Sequence, residues 1–179
     1  MDSQTSSALI VAVVGGVVAG VVGSGLLLLY SELEKRRARK SLANGLLWEI
    51  DDFYRLVIRN VIRAMKDKKP EDLGFDVKSV TFSRFTIYEG SADKVGLLEP
   101  DLVEGVVGWH GNARAYLNTL HDYGQAIEQM QSGQHQLRKK AVTLLTQIKG
   151  FAESSVPITR TLCERLANLA GTKYSFDVP

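Results

Sequence analysis

The chain has 179 residues and a net charge of +2, from 22 Lys and Arg against 20 Asp and Glu. That length holds one membrane span and one domain with a core of its own, and the balance of charge excludes a broad nucleic-acid-binding surface. A single cysteine, Cys163, excludes a disulfide framework or a cysteine zinc site within one chain.

From Ala8 to Tyr30 no side chain is charged. At ~1.5 Å of rise per residue, such a run crosses a ~30 Å hydrocarbon core as a modestly tilted helix, with its backbone groups satisfied internally. A cleaved signal peptide is argued against by Asp2 and the lack of Lys or Arg in Met1 to Ser7, and by an apolar run longer than an ordinary h-region. Lys35, Arg36, Arg37, Arg39 and Lys40 follow the run closely. By the positive-inside rule, residues 1–7 form a short extracytoplasmic tail, 8–30 the transmembrane helix, and the remainder is cytoplasmic. The same cluster offers charge to anionic lipid, blunted by Glu32 and Glu34. Within the span, Ala8, Ala12, Gly16, Gly20 and Ser24 recur at every fourth residue. Small side chains let membrane helices approach closely, so this stripe predicts a homo-oligomer or pairing with a partner membrane protein through the span.

From Ser31 to about Lys68 the pattern predicts one long helix. Leu42, Leu46, Ile50, Phe53, Val57, Val61 and Met65 recur at spacings of three and four, Glu32 and Arg36 form a favourable i,i+4 pair, and Pro70 ends the helix at or before Lys69. Residues 71–85 alternate like a strand around Phe75, Val77, Val80 and Phe82 but have no evident partner; loop and strand both remain open, with a loop pinned by its aromatics the expectation. Thr86-Ile87-Tyr88-Glu89 reads as a reciprocal capping box. It opens a short helix that Gly96 would end in left-handed conformation.

Pro100 suits the first position of the next helix, whose apolar face is Leu102, Val106, Trp109, Ala113, Tyr116, Leu117, Leu120, Tyr123, Ile127 and Met130. Ser132-Gly133 breaks the chain. A further helix from His135 turns Leu137, Ala141, Leu144, Ile148 and Phe151 inward. Pro157 restarts or kinks it, and Ile158, Leu162, Leu166 and Leu169 carry the stripe on to Gly171. Residues 31–171 thus make a cytoplasmic helical domain. Residues 172–179 form a polar C-terminal tail with Tyr174 and Phe176 as docking points. The fold class is all-α: a single N-terminal transmembrane helix followed by a three- to four-helix antiparallel bundle.

Phe85-x-x-Tyr88 and Gly96-Leu97-Leu98-x-Pro100-x-Leu102-Val103, placed after a span, a basic cluster and a long helix, resemble a loose group of uncharacterised bacterial single-pass inner-membrane proteins. The resemblance covers about Leu42 to Ile127 and differs at Glu99, where that group often has Ser. It implies a bacterial inner-membrane location and no chemistry.

His110 and His121 project in nearly the same direction on one helix, with Glu128 in line, at the expected solvated boundary of the apolar face. They lie ~16 Å apart along the axis, too far to share a metal ion within one chain. Cys163 has no His within a helical turn and reads as a buried small hydrophobe. No nucleophile elbow or phosphate-cradling loop is present. The sequence therefore predicts no enzyme, no cofactor and no metal site. The expected function is a membrane-anchored adaptor or scaffold acting by protein–protein interaction; the alternative is a bundle that binds a small regulatory ligand.

Overall fold

The computed structural model describes residues 3–73, 75 and 85–177, with side chains from Leu27 onward, His135 excepted. Every described element is helical: α1 (Ser3–Phe53), a π-turn (Tyr54–Ile58), α2 (Arg59–Met65), α3 (Thr86–Gly90), α4 (Pro100–Gln131) and α5 (Arg138–Ala170). Single 3₁₀ turns stand at Pro70–Asp72, Ala92–Leu97 and His135–Leu137.

The chain divides into two compact units, Met1–Arg39 and Lys40–Pro179. Among the described residues no helix is long and apolar enough to cross a membrane. Most of the predicted span lies outside them: the side chains of residues 8–26, and with them the stripe of Ala12, Gly16, Gly20 and Ser24, are not described. Within the first unit, Glu32 and Arg36 form the predicted i,i+4 pair at 3.6 Å. Residues 31–38 are exposed, and among the described side chains burial begins at Leu42, two residues into the second unit.

In the second unit all seven residues of the predicted stripe, Leu42 to Met65, are buried. The π-turn adds a residue to the helical repeat, and with it Phe53 and Tyr54 both become fully buried. Phe53 is the aromatic hub, with its ring 5.3 Å from Trp109 edge-on and 5.5 Å from Phe85. Aromatic pairs at such distances add ~0.5–1.5 kcal/mol each beyond the area they bury.

α4 and α5 form an antiparallel hairpin. Gly105 faces Leu162, Trp109 faces Thr159 and Tyr116 faces Phe151, so residue numbers fall on one helix as they rise on the other. The turn between them uses Gly133 at φ +104°, a left-handed conformation that side-chain-bearing residues rarely adopt. The predicted face of α4 is buried from Leu102 to Tyr123, while Leu117, Ile127 and Met130 sit half-buried at its edge.

Three sequence expectations need correction. α5 runs through Pro157 without interruption. The missing N–H and the ring lie on the exposed side of the helix, so no buried backbone group is orphaned. Its inward face is Ala141, Leu145, Ile148, Ala152, Ser155, Thr159 and Leu162; Leu144 and Phe151 are half-buried and Ile158 is 60% exposed. Ala141, Ile148, Leu162 and Leu166 are buried as the stripe predicts, while the face is rotated so that Leu145, Ala152, Ser155 and Thr159 replace Leu144, Phe151 and Ile158. Finally, the capping box does not form. Glu89 reaches out to Arg114 Nη2 at 2.7 Å, α3 is capped from another helix as described below, and Gly96 lies within a 3₁₀ turn without positive φ.

The C-terminal tail is docked at both predicted aromatics. Tyr174 Oη donates to Asp51 Oδ1 at 2.6 Å, and the Phe176 ring packs tilted against Tyr54 at 4.3 Å. Arg59 Nη1 donates to Asp177 Oδ2 at 2.7 Å, and Thr172 Oγ1 donates to Asn44 Oδ1 at 3.2 Å. The tail is a strap along α1, the π-turn and α2.

Candidate functional site

Polar chemistry in the core is concentrated at two places, and both are closed. At the first, Glu49 rises from α1 into the turn that opens α3. Its Oε1 accepts the Ile87 N–H at 2.7 Å, and Oε2 accepts the Tyr88 N–H at 3.0 Å. His110 Nε2 stands 3.2 Å from the same Oε2, and its Nδ1 is 2.8 Å from the Val106 carbonyl. A carbonyl can only accept, so Nδ1–H donates to it, and Nε2 faces the carboxyl group already held by two N–H donors. The Tyr88 ring stacks on the imidazole at 4.0 Å. His110 is therefore buried and fully bonded, and not at the solvated boundary where its helical phase placed it. His121 is exposed and takes a hydrogen bond from Gln125 at 2.9 Å. The two imidazoles share no site.

At the second, Asp51 is buried between Tyr174 and Arg55, whose Nε lies 2.8 Å from Asp51 Oδ2. Burial is the main force pushing the Tyr174 hydroxyl above its ordinary range, and the hydrogen bond to Asp51 adds to it. Cys163 lies under this strap with no exposed surface, and its thiol is pushed up to about 12, chiefly by burial. That is the setting of an inert thiol, not a nucleophile.

The open feature is on the other seam. Between α4 and α5, below the Trp109–Thr159 hydrogen bond of 3.0 Å, lies a cavity of about 610 Å³. Its floor is apolar: Phe53 and Ile58 beneath, Trp109 and Phe151 at the sides. Its α4 lip carries Asp101, Glu104 and Asn112, and its α5 lip carries Ser154 and the exposed Ile158. The opening arises because α4 presents Gly105, Gly108 and Ala113 here while α5 presents Ser154 and Ser155, too little bulk to fill the seam. Two further depressions continue it along the same helices. One of about 370 Å³ shares Gly105 and Ile158, and one of about 250 Å³ shares Arg165 with that one and reaches Glu99 and Leu169. From Asn112 to Glu99 the groove follows α4 for ~20 Å, at 1.5 Å per residue.

Of the residues singled out in the sequence, Lys35, Arg36, Arg37 and Lys40 are exposed and Arg39 is half-buried, all on α1. Six consecutive helical positions encircle the axis, so the cluster makes a collar and not a pocket. Phe53, Trp109, Ala113, Phe151 and Ile158 of the groove were predicted as core residues and not as a site, and the polar lip, Asp101, Glu104, Asn112 and Ser154, was not singled out. No protein-family description, curated protein or solved structure matches the chain.

Proposed function

We propose that this is a bacterial inner-membrane protein, anchored by the 8–30 helix with its N-terminus outside, whose cytoplasmic helical domain works as an adaptor by protein–protein contact. The observation that carries the contact surface is the α4–α5 groove, a long trough with an apolar floor, open to solvent beside the buried core. Its length and openness suit a segment of a partner protein better than a compact small molecule, which is ordinarily buried over most of its surface. The anchor rests on the uncharged run and its basic exit. The basic collar at 35–40 would favour anionic lipid at ~1 kcal/mol per residue near the surface, and the small-residue stripe supports pairing of spans.

Two measurements test the placement. A reporter fused after Pro179 should report a cytoplasmic location, and periplasmic activity would overturn the orientation. In a membrane dimerisation reporter carrying residues 8–30, Gly20→Ile should lower the signal while Val17→Ile leaves it; equal signals for wild type and Gly20→Ile would remove pairing through the stripe.

A further inference from the structure

We infer that the occupant of the α4–α5 groove is an amphipathic helix of a partner protein, with a large apolar side chain as anchor and a Lys or Arg one turn away. This rests on the adaptor reading above and names the chemistry of the partner.

The length of the trough comes first. About 20 Å of α4 borders it, the axial span of roughly thirteen helical residues, and three connected depressions match successive anchors at i, i+4 and i+7 better than one compact ligand. The widest of them has aromatic walls from Phe53, Trp109 and Phe151, as a Leu, Phe or Trp anchor requires.

Charge gives the second argument. Asp101 and Glu104 stand on the α4 lip one turn apart. Arg165, the cation lining the neighbouring depressions, lies 3.8 Å from Asp101 with both side chains largely exposed, and Glu104 has no ionic or hydrogen-bonded partner among the described residues. The lip therefore presents unmatched negative charge beside an apolar trough. Electrostatic complementarity selects a basic partner and rejects an acidic one.

Gly108 supplies the third. A β-carbon built there would meet nothing within 4 Å, so no internal packing requires glycine, and the helix carries its conformational penalty without return inside the fold. Because Gly108 lines the widest depression, a larger side chain there has room to enter the trough. At Gly105 an added β-carbon would meet only the Leu162 methyl at 3.3 Å, at the tip of a flexible side chain.

The test uses the full chain in the membrane of its own cells, with a photoreactive benzoylphenylalanine in place of Ile158 on the α5 lip and, as control, in place of the exposed Lys140 far along α5. Illumination should give a protein adduct from position 158 and not from 140. Gly108→Leu, which fills the trough, should reduce that adduct roughly tenfold or more while thermal unfolding stays at or above wild type, and the double change Asp101→Lys, Glu104→Lys should reduce it comparably. The cross-linked partner peptide should carry Lys or Arg three or four residues from the point of attachment. Loss with Gly108→Leu but persistence through the charge reversal, or an acidic partner peptide, overturns the basic helix and leaves the adaptor groove standing. An adduct indifferent to Gly108→Leu, or none above the Lys140 control, overturns both.

Discussion

α4 has two long seams, and they are built to opposite rules. Toward α1 and α3 it presents His110, and every polar atom of the Glu49–His110 corner meets a partner within 3.2 Å under a stacked tyrosine. Toward α5 it presents glycines and leaves a trough with a carboxylate, Glu104, unmatched on its lip. The difference teaches where to look for function. A buried polar cluster that is fully satisfied holds parts of the fold in register, whereas unfilled apolar surface beside unmatched charge retains free energy that a partner can collect.

The largest expected effect is at the closed seam. Glu49→Ala would strand the Ile87 and Tyr88 N–H groups and the inward-facing Nε2 of His110 together. It should cost ~2–5 kcal/mol, since each buried donor left without a partner costs ~1–3 kcal/mol, read by denaturant unfolding of the full chain. A loss below ~1 kcal/mol would show that this corner does not hold α3 to α1. Next comes the strap: Tyr174→Phe removes the 2.6 Å bond to buried Asp51 and should cost ~1–3 kcal/mol. An unchanged midpoint would mean that Asp51 is satisfied by Arg55 alone.

The strap also has a pH signature. Cys163 is raised from 9.0 to about 12, and burial raises Tyr54, Tyr116, Tyr123 and Tyr174 from 10.0. For groups raised in the folded state, their stabilisation is full below the unfolded values and is lost as pH climbs toward the folded ones. The melting temperature should therefore be insensitive to these groups at pH 7–8 and fall progressively above pH 9, with the first part of the fall absent in Cys163→Ala. At neutral pH a thiol reagent should modify Cys163 only on unfolding; rapid labelling of the native protein would place it outside the core.

The smallest effect belongs to the open seam and has the opposite sign. Gly108→Ala should stabilise by up to ~1 kcal/mol, since helix propensity improves and nothing is crowded. A destabilised Gly108→Ala would show that the seam closes in solution and would remove the contrast with the Glu49 corner.

Local pattern sufficed for the elements and for most of the core. The stripe from Leu42 to Met65, the burial of α4 from Leu102 to Tyr123, the start of α4 at Pro100 and the docking of Tyr174 and Phe176 all follow from helical period, proline geometry and hydrophobicity, which neighbours in sequence specify. Helical phase failed where two surfaces had to fit. On α5 the buried face is rotated from the predicted one, taking in Leu145, Ala152 and Thr159 and leaving Ile158 outside. His110 was read from its phase as a boundary residue, yet a carboxylate 61 positions earlier made its burial tolerable.

The sequence by itself determined the long helices, an uncharged N-terminal run with a basic exit, and the apolar faces of α1 and α4, because period and charge are local properties. The tertiary structure alone decided which polar side chains would be buried and which seam would stay open. Glu49 meets His110, and Asp51 meets Tyr174 123 positions away, only after the helices pack. The groove exists because Gly105, Gly108, Ser154 and Ser155, unremarkable singly, come to face one another across a seam they cannot fill. Pairing and volume between distant segments have no period, so no local pattern could carry them.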